Sequence, residues 1–177
     1  MRKVVVYQIV SLDGVAEDPE EFVTDWDEGD AHLAFTIATQ DAVILGRNSY
    51  DQWARFWPTS RIEPFADFIN TVDKFVATST PLDQAWANAT RIDGDLVGFV
   101  RKLTGTPGRD IGVHASISVV RSLLAAGVVD ELRLLIVPTI VAAKRTLFEG
   151  LPPIRLETLR SQVTPGGLLL VDYRIRS

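Results

Sequence analysis

The chain has no cysteine and only two histidines, His32 and His114. A disulfide framework and thiolate chemistry are thereby excluded, and the donors for a His/Cys metal cage are missing. Positive charge is not in excess either. Eighteen Lys and Arg stand against 23 Asp and Glu, a net charge of −5, so a nucleic-acid backbone is not the expected partner. No apolar run approaches membrane-spanning length. The start, M-R-K-V-V-V-Y-Q-I-V, has the look of a signal peptide, but its apolar run is short, is broken by Gln8 and has no small-residue cleavage site before Asp13. Asn88-Ala89-Thr90 matches a glycosylation acceptor, which reads as chance without a secretion signal. There is no G-x-S-x-G, P-loop or zinc spacing. These absences point to a cytoplasmic protein with no membrane and no nucleic-acid partner.

What is present is a core. Of 177 residues, 46% are hydrophobic and 23% charged, which suits one globular domain over 1–177. No linker, repeat or low-complexity segment divides it. Val4–Val10 is a β-rich apolar run, read as a buried strand that ends in the polar turn Ser11–Gly14. Val15–Gly29 is acidic and irregular, with Phe22 and Trp26 as its large apolar groups; loops of this length are often lids or binding loops. Ala31–Gln40 reads as a helix with Ala34, Ile37 and Ala38 on one face. Ile62, Phe65, Ala66 and Ile69 keep helical spacing, as do Leu96, Phe99, Val100 and Leu103 behind Asp95. Strands are expected over Val72–Thr78, Ile111–His114 and Leu132–Val137. Ser116 is placed to cap a helix carrying Ile117, Val120 and Leu124, and Gly127 to end it. Arg155–Val163 and Leu168–Arg176 read as a hairpin around Pro165-Gly166-Gly167, with Leu169, Val171, Tyr173 and Ile175 on one face.

Asp41–Trp57 carries the most chemistry. The apolar run Ala42–Leu45 stops at Gly46, and Arg47, Asn48 and Ser49 precede a helix-compatible segment that closes with Trp53, Phe56 and Trp57. Strand, tight turn and helix start follow in order. Gly46 permits an unusual backbone or a close approach, Asn48 or Ser49 can cap, and a helix start beside an arginine suits phosphate. Alternating strands and helices imply a mainly parallel sheet covered on both faces. Ligands of such sheets sit at the carboxyl ends of the strands. Here those ends are Ser11–Gly14, Gly46–Ser49, Thr78–Thr80 and His114–Ser118, all small, polar or glycine-containing.

Five stretches together resemble a known family: S-L-D-G at Ser11–Gly14, L-G-R-N-S-Y at Leu45–Tyr50, V-A-T-S-T at Val76–Thr80, G-V-V-D-E-L-R-L-L-I-V-P at Gly127–Pro138 and T-L-F-E-G at Thr146–Gly150. The chain is similar to the dihydrofolate-reductase-like fold. Within it, the resemblance is to the reductase domain of riboflavin biosynthesis, the RibD C-terminal domain, and its stand-alone relatives. The resemblance implies an α/β fold with a mostly parallel central sheet, a C-terminal antiparallel hairpin and helices on both faces. It implies NADPH across the strand ends. Gly46, Arg47, Asn48 and Ser49 would take the phosphate region, Thr78 and Ser79 the adenosine ribose and its 2′-phosphate, and His114, Ala115, Ser116, Ile117 and Ser118 the pyrophosphate or nicotinamide. The family usually has glycine where Ala115 stands, and glycines in the loop after Pro138, which here reads T-I-V-A-A-K-R.

Asp13, after the first strand, is the candidate catalytic residue, orienting substrate or relaying a proton through water; the alternative is a turn-stabilising role before Gly14. Of the acids Asp25, Asp27, Glu28 and Asp30, none is singled out as the counterpart of the acid that binds the pterin in folate reductases. His114 is either an acid or base, or a structural group. Trp53, Phe56 and Trp57 either stack on a flat heterocycle or belong to the core or a subunit contact. The reading is therefore an NADPH-dependent reductase of a small heterocyclic or carbonyl substrate, with the pyrimidine-ribitylamino reduction of riboflavin synthesis as the named candidate. A non-catalytic nucleotide or small-molecule binding module is the alternative. Apolar surface from the late strands makes a homodimer the expected assembly.

Overall fold

A computed structural model describes residues 1–176, without the side chain of Asp27, so that one of the four acids named above lies outside what the structure describes. The strands are β1 (Val4–Ser11), β2 (Gln40–Gly46), β3 (Asp73–Ala77), β4 (Ala89–Ile92), β5 (Asp110–His114), β6 (Glu131–Val137), β7 (Leu156–Val163) and β8 (Leu169–Ile175). The α-helices are α1 (Asp30–Ile37), α2 (Arg47–Phe56), α3 (Phe65–Thr71), α4 (Leu96–Thr104) and α5 (Ile117–Ala125). All eight strands form one sheet in the order β4-β3-β2-β5-β1-β6-β8-β7. The first six run parallel, and β8 lies antiparallel to both β6 and β7. Among the described residues no helix is long and apolar enough to cross a membrane.

Alternation along β1 shows how the sheet is covered. Val4, Val6 and Val10 join a core with α4 and α5. Val43 and Leu45 of β2 and Val76 of β3 pack on the opposite face with Ile37, Tyr50, Ala54, Phe65 and Ile69 of α1, α2 and α3. Each such fully buried apolar side chain contributes roughly 1.5–3 kcal/mol, which explains why the strands read as unbroken apolar runs. The acidic loop is anchored rather than loose, because Val15, Phe22 and Val23 pack with Leu135, Val137, Leu168 and Leu170. Trp26 remains half exposed.

Three elements differ from their expected form. Strand β4 went unread because it is short, at the sheet edge, and exposes Thr90 and Arg91. Helix α1 starts at Asp30, and besides Ile37 it buries His32 and Thr36, while Ala38 is exposed. Its inward face is partly polar because His32 reaches toward β8, where its Nε2 lies 2.6 Å from Asp172 Oδ1, while Ile37 packs with Val43 and Leu45. Helix α2 starts at Arg47 after an N-cap at Gly46, so Asn48 and Ser49 lie within the first turn and do not cap it.

Candidate functional site

Strands β3, β2, β5 and β1 are neighbours, so their carboxyl ends at Ala77, Gly46, His114 and Ser11 form a row. Helices α2 and α5 leave from the middle of that row and are tied to each other. Gly46 N donates to Ser116 Oγ at 2.7 Å, Ser116 N donates to Ser49 Oγ at 3.1 Å, and the two hydroxyls are 2.7 Å apart. Gly46 itself has ordinary extended backbone, with φ −87° and ψ 164°. Its lack of a side chain serves space: a Cβ would lie 3.3 Å from Val119 Cγ2 and 3.4 Å from Ser116 Oγ. The conformational freedom expected of this glycine is not used; the close approach is.

The starts of α2 and α5 have no side-chain cap, although Ser116 occupies the N-cap position of α5. Its hydroxyl is turned to Gly46 and Ser49 instead. Helix N-terminal N–H groups without acceptors attract anions. Beside them the chain keeps a left-handed turn without glycine. Ala115 has φ 53° and Ser116 φ 45°, and the Ala115 carbonyl accepts from Gln8 Nε2. The glycine-free loop after Pro138 does the same, with Ala142 at φ 54° and Ala143 at φ 51°. Each such residue costs roughly 1–2 kcal/mol. The two departures from the family pattern therefore keep a glycine-like backbone at the expense of strain.

Asp13 is held by its own neighbourhood. Its carboxylate accepts from Ser11 Oγ at 2.6 Å, Ala142 N at 2.9 Å and Val141 N at 3.1 Å. These bonds, the Ser11 hydroxyl first, lower its pKa to about 2. At neutral pH it is an exposed, ionised anchor joining the β1 turn to the loop after Pro138, with no proton to donate.

Arg47 is engaged on every side. Its Nε donates to Asp51 Oδ2 at 2.7 Å, Nη2 to Asp83 Oδ2 at 2.8 Å, and Nη1 to Thr80 Oγ1 at 2.5 Å and Pro81 O at 2.7 Å. The Asp51 hydrogen bond pushes its already high pKa further up, burial opposes the rise, and Asp83 adds to it. It thus fastens α2 to the loop after β3, where Thr78 Oγ1 lies 3.2 Å from Thr80 Oγ1 and Ser79 is exposed.

His114 turns into the core. It is 2% exposed, its Nε2 is 2.8 Å from Gln40 Oε1, and its ring packs on Tyr7, Phe65 and Phe68. Gly112 makes room for this bond, since a Cβ there would lie 2.1 Å from Gln40 Oε1. Burial lowers the His114 pKa to about 3, so the ring is neutral. Ile117 is buried, and Ser118 Oγ accepts from Arg145 Nη2 at 3.1 Å. Trp53, Trp57 and Phe65 meet edge to face, and Phe56 on Trp57 is half exposed.

The row therefore brings together Gly46, Arg47, Ser49, Ala115 and Ser116, with Thr78 and Ser79 beside Arg47. It ties Asp13 to another loop and removes the His114 ring to the interior. Sequence reasoning missed Asp83, which lies 36 positions from Arg47. It also missed the interior polar group of Tyr7, His32 and Asp172. The Tyr7 phenol there is pushed up by burial first and then by the charges of Asp30 and Asp172. No local motif marks either. Two surface hollows, of 460 Å³ beside Tyr50 and Trp86 and of 350 Å³ beside Phe148 and Leu156, are lined by residues outside the row.

Comparison with known proteins bears on the family and the fold. Residues 2–170 match the model of the RibD C-terminal domain. The uncharacterized Bacillus subtilis protein YyaP is 26% identical over 180 residues, covering 97% of this chain and 94% of its own. A Shewanella sp. PV-4 protein named for riboflavin biosynthesis superposes with a TM-score of 0.79 at 18% identity over 99% of both chains. The Thermotoga maritima diaminohydroxyphosphoribosylaminopyrimidine deaminase/5-amino-6-(5-phosphoribosylamino)uracil reductase gives 0.73 at 15% identity, over 99% of this chain and 57% of that longer one. The fold is dihydrofolate-reductase-like.

Proposed function

Because the chain belongs to the RibD C-terminal domain family, we propose that it is a reductase acting on a small heterocyclic or carbonyl compound. A nicotinamide dinucleotide, NADPH as the resemblance implies, would supply the hydride when bound. The observation that carries the reading is the pair of uncapped helix starts at Gly46–Ser49 and Ser116–Ser118, fastened side by side at the strand ends. Their backbone N–H groups suit a pyrophosphate. Thr78 and Ser79 offer hydroxyls to a ribose, and the Ala115 turn shapes the floor. Asn48 stands exposed in the first turn of α2. In this reading Asp13 is a positioning residue, because its ionised carboxylate fixes the loop after Pro138. A pyrimidine of the kind named for the Thermotoga maritima reductase is the preferred substrate class.

The exposed side chains Leu156, Leu159 and Val163 on the edge strand β7 support a homodimer, and the lack of cysteine suits a reducing cytoplasm. One observation favours a second reading, a module that binds a nucleotide without turning it over. Neither acid–base group expected from sequence is available, since Asp13 is held ionised and His114 is buried and neutral.

Fluorescence titration with NADPH tests the first step, and loss of nicotinamide absorbance with a pyrimidine or carbonyl acceptor tests the second. Binding with turnover is the expected result. Binding without turnover on any acceptor selects the module, and no binding removes the reductase reading.

A further inference from the structure

The inference rests on the dinucleotide reading and concerns the end of the site where NADPH and NADH differ, the 2′-phosphate of the adenosine ribose. Charge decides this end of the site: a carboxylate repels the 2′-phosphate but can accept from a free ribose hydroxyl, whereas an arginine attracts the phosphate, the logic seen in doubly wound dinucleotide folds. Arg47 stands in the second position, between the ends of β2 and β3. Yet its guanidinium is already occupied. Of its five N–H groups, four meet Asp51, Asp83, Thr80 Oγ1 and the Pro81 carbonyl.

The net charge there is also negative. One guanidinium lies between two carboxylates, leaving the cluster one unit negative. Arg91 on the neighbouring strand β4 adds no surplus, because it pairs with Asp93 at 2.6 Å. A phosphate monoester brings a charge of roughly −1.5 to −2. To reach Arg47 it has to displace a carboxylate and remain close to both. A ribose hydroxyl meets neither difficulty, and Thr78 and Thr80 supply neutral partners for it.

The two acids differ in how they are held. Asp51 belongs to α2, one helical turn from Arg47, and its side chain is 31% exposed. Asp83 reaches Arg47 from the loop after β3 and is 75% exposed. An exposed pair of this kind contributes little to folding, so stability does not explain the arrangement. We infer that Asp83 is a specificity-determining residue that weakens binding of the 2′-phosphorylated dinucleotide relative to NADH.

The test is equilibrium titration of NADPH and of NADH, followed by tryptophan quenching, for the unmutated protein and for Asp83→Asn, with circular dichroism as the folding control. Asp83→Asn should tighten NADPH about tenfold, the scale of a screened charge repulsion across such a site, and leave NADH within about twofold. A parallel change in both, no change in either, or weaker NADPH binding overturns the assignment of Asp83 while leaving the dinucleotide site standing. Failure of both proteins to bind either dinucleotide overturns the reductase reading and this inference with it.

Discussion

Helix α4 and the pair α2 and α5 begin in opposite ways. At α4, Asp95 turns back and accepts from Gly98 N at 2.6 Å and Val97 N at 3.4 Å. Its helix start is closed by a carboxylate of the chain itself. At α2 and α5 the cap positions are Gly46 and Ser116, and neither provides a side-chain cap. All three helices follow strands of the parallel part of the sheet. Only α2 and α5 rise from the centre of the row of strand ends. At α4 the chain closes the helix start with its own carboxylate; at α2 and α5 no side chain caps the start, and the geometry is kept by the contact of Ser49 with Ser116 instead.

The strongest way to break this contrast is to close an open start. Ser116→Asp would place a carboxylate at the cap of α5, in a left-handed conformation that Asp tolerates better than most residues. Dinucleotide affinity should fall by at least about a hundredfold, roughly 2.7 kcal/mol, with the helix content unchanged. Titration beside circular dichroism checks it, and unimpaired binding removes these helix starts from the site.

A second effect separates the open start of α5 from the closed interior just before it. The His114 pKa is about 3 in the folded protein, below an unfolded value of about 6.5. The folded state thus binds fewer protons in that window. The contribution is complete above pH 6.5 and is lost as pH falls toward 3. At pH 5 the loss should be about 2 kcal/mol. Denaturant unfolding of the unmutated protein and of His114→Gln at pH 7 and pH 5 should show a flatter dependence in the variant by about that amount. Equal pH dependence would mean that His114 takes up its proton in place.

Opening the closed start is the converse test. Asp95→Ala should cost about 1 kcal/mol of stability, measured by denaturant unfolding, and leave dinucleotide affinity unchanged. The smallest effect is expected at Ala115→Gly. Relief of the left-handed backbone favours the variant, while the greater freedom of the unfolded chain opposes it. Stability should move by less than about 1 kcal/mol, and affinity by less than about threefold. A large gain in affinity would show that the Ala115 methyl crowds the bound dinucleotide.

Much of this architecture was legible in the residues. Val4–Val10, Ala42–Leu45 and Leu132–Val137 are mainly apolar because both faces of their strands are covered, and Pro165-Gly166-Gly167 leaves the chain little choice but to turn back. The hidden parts have a shared cause. Ala89–Ile92 is a strand only because β3 offers it an edge. His32 faces inward because Asp172, 140 positions away, waits there.

By itself the sequence determined most of the strands, their mainly parallel direction, the hairpin, and the positions of the small polar turns at the strand ends. Periodicity and turn chemistry are local, and local chemistry can be read along a chain. Only the tertiary structure decided which of those groups remain available. Asp13, Arg47 and His114 all stand at strand ends in the sequence. In the folded chain the first is bonded to the loop after Pro138, the second is held between Asp51 and Asp83, and the third is buried against Gln40. A donor or a charge is free only when nothing from elsewhere in the fold has reached it, and that depends on partners brought together across the whole chain.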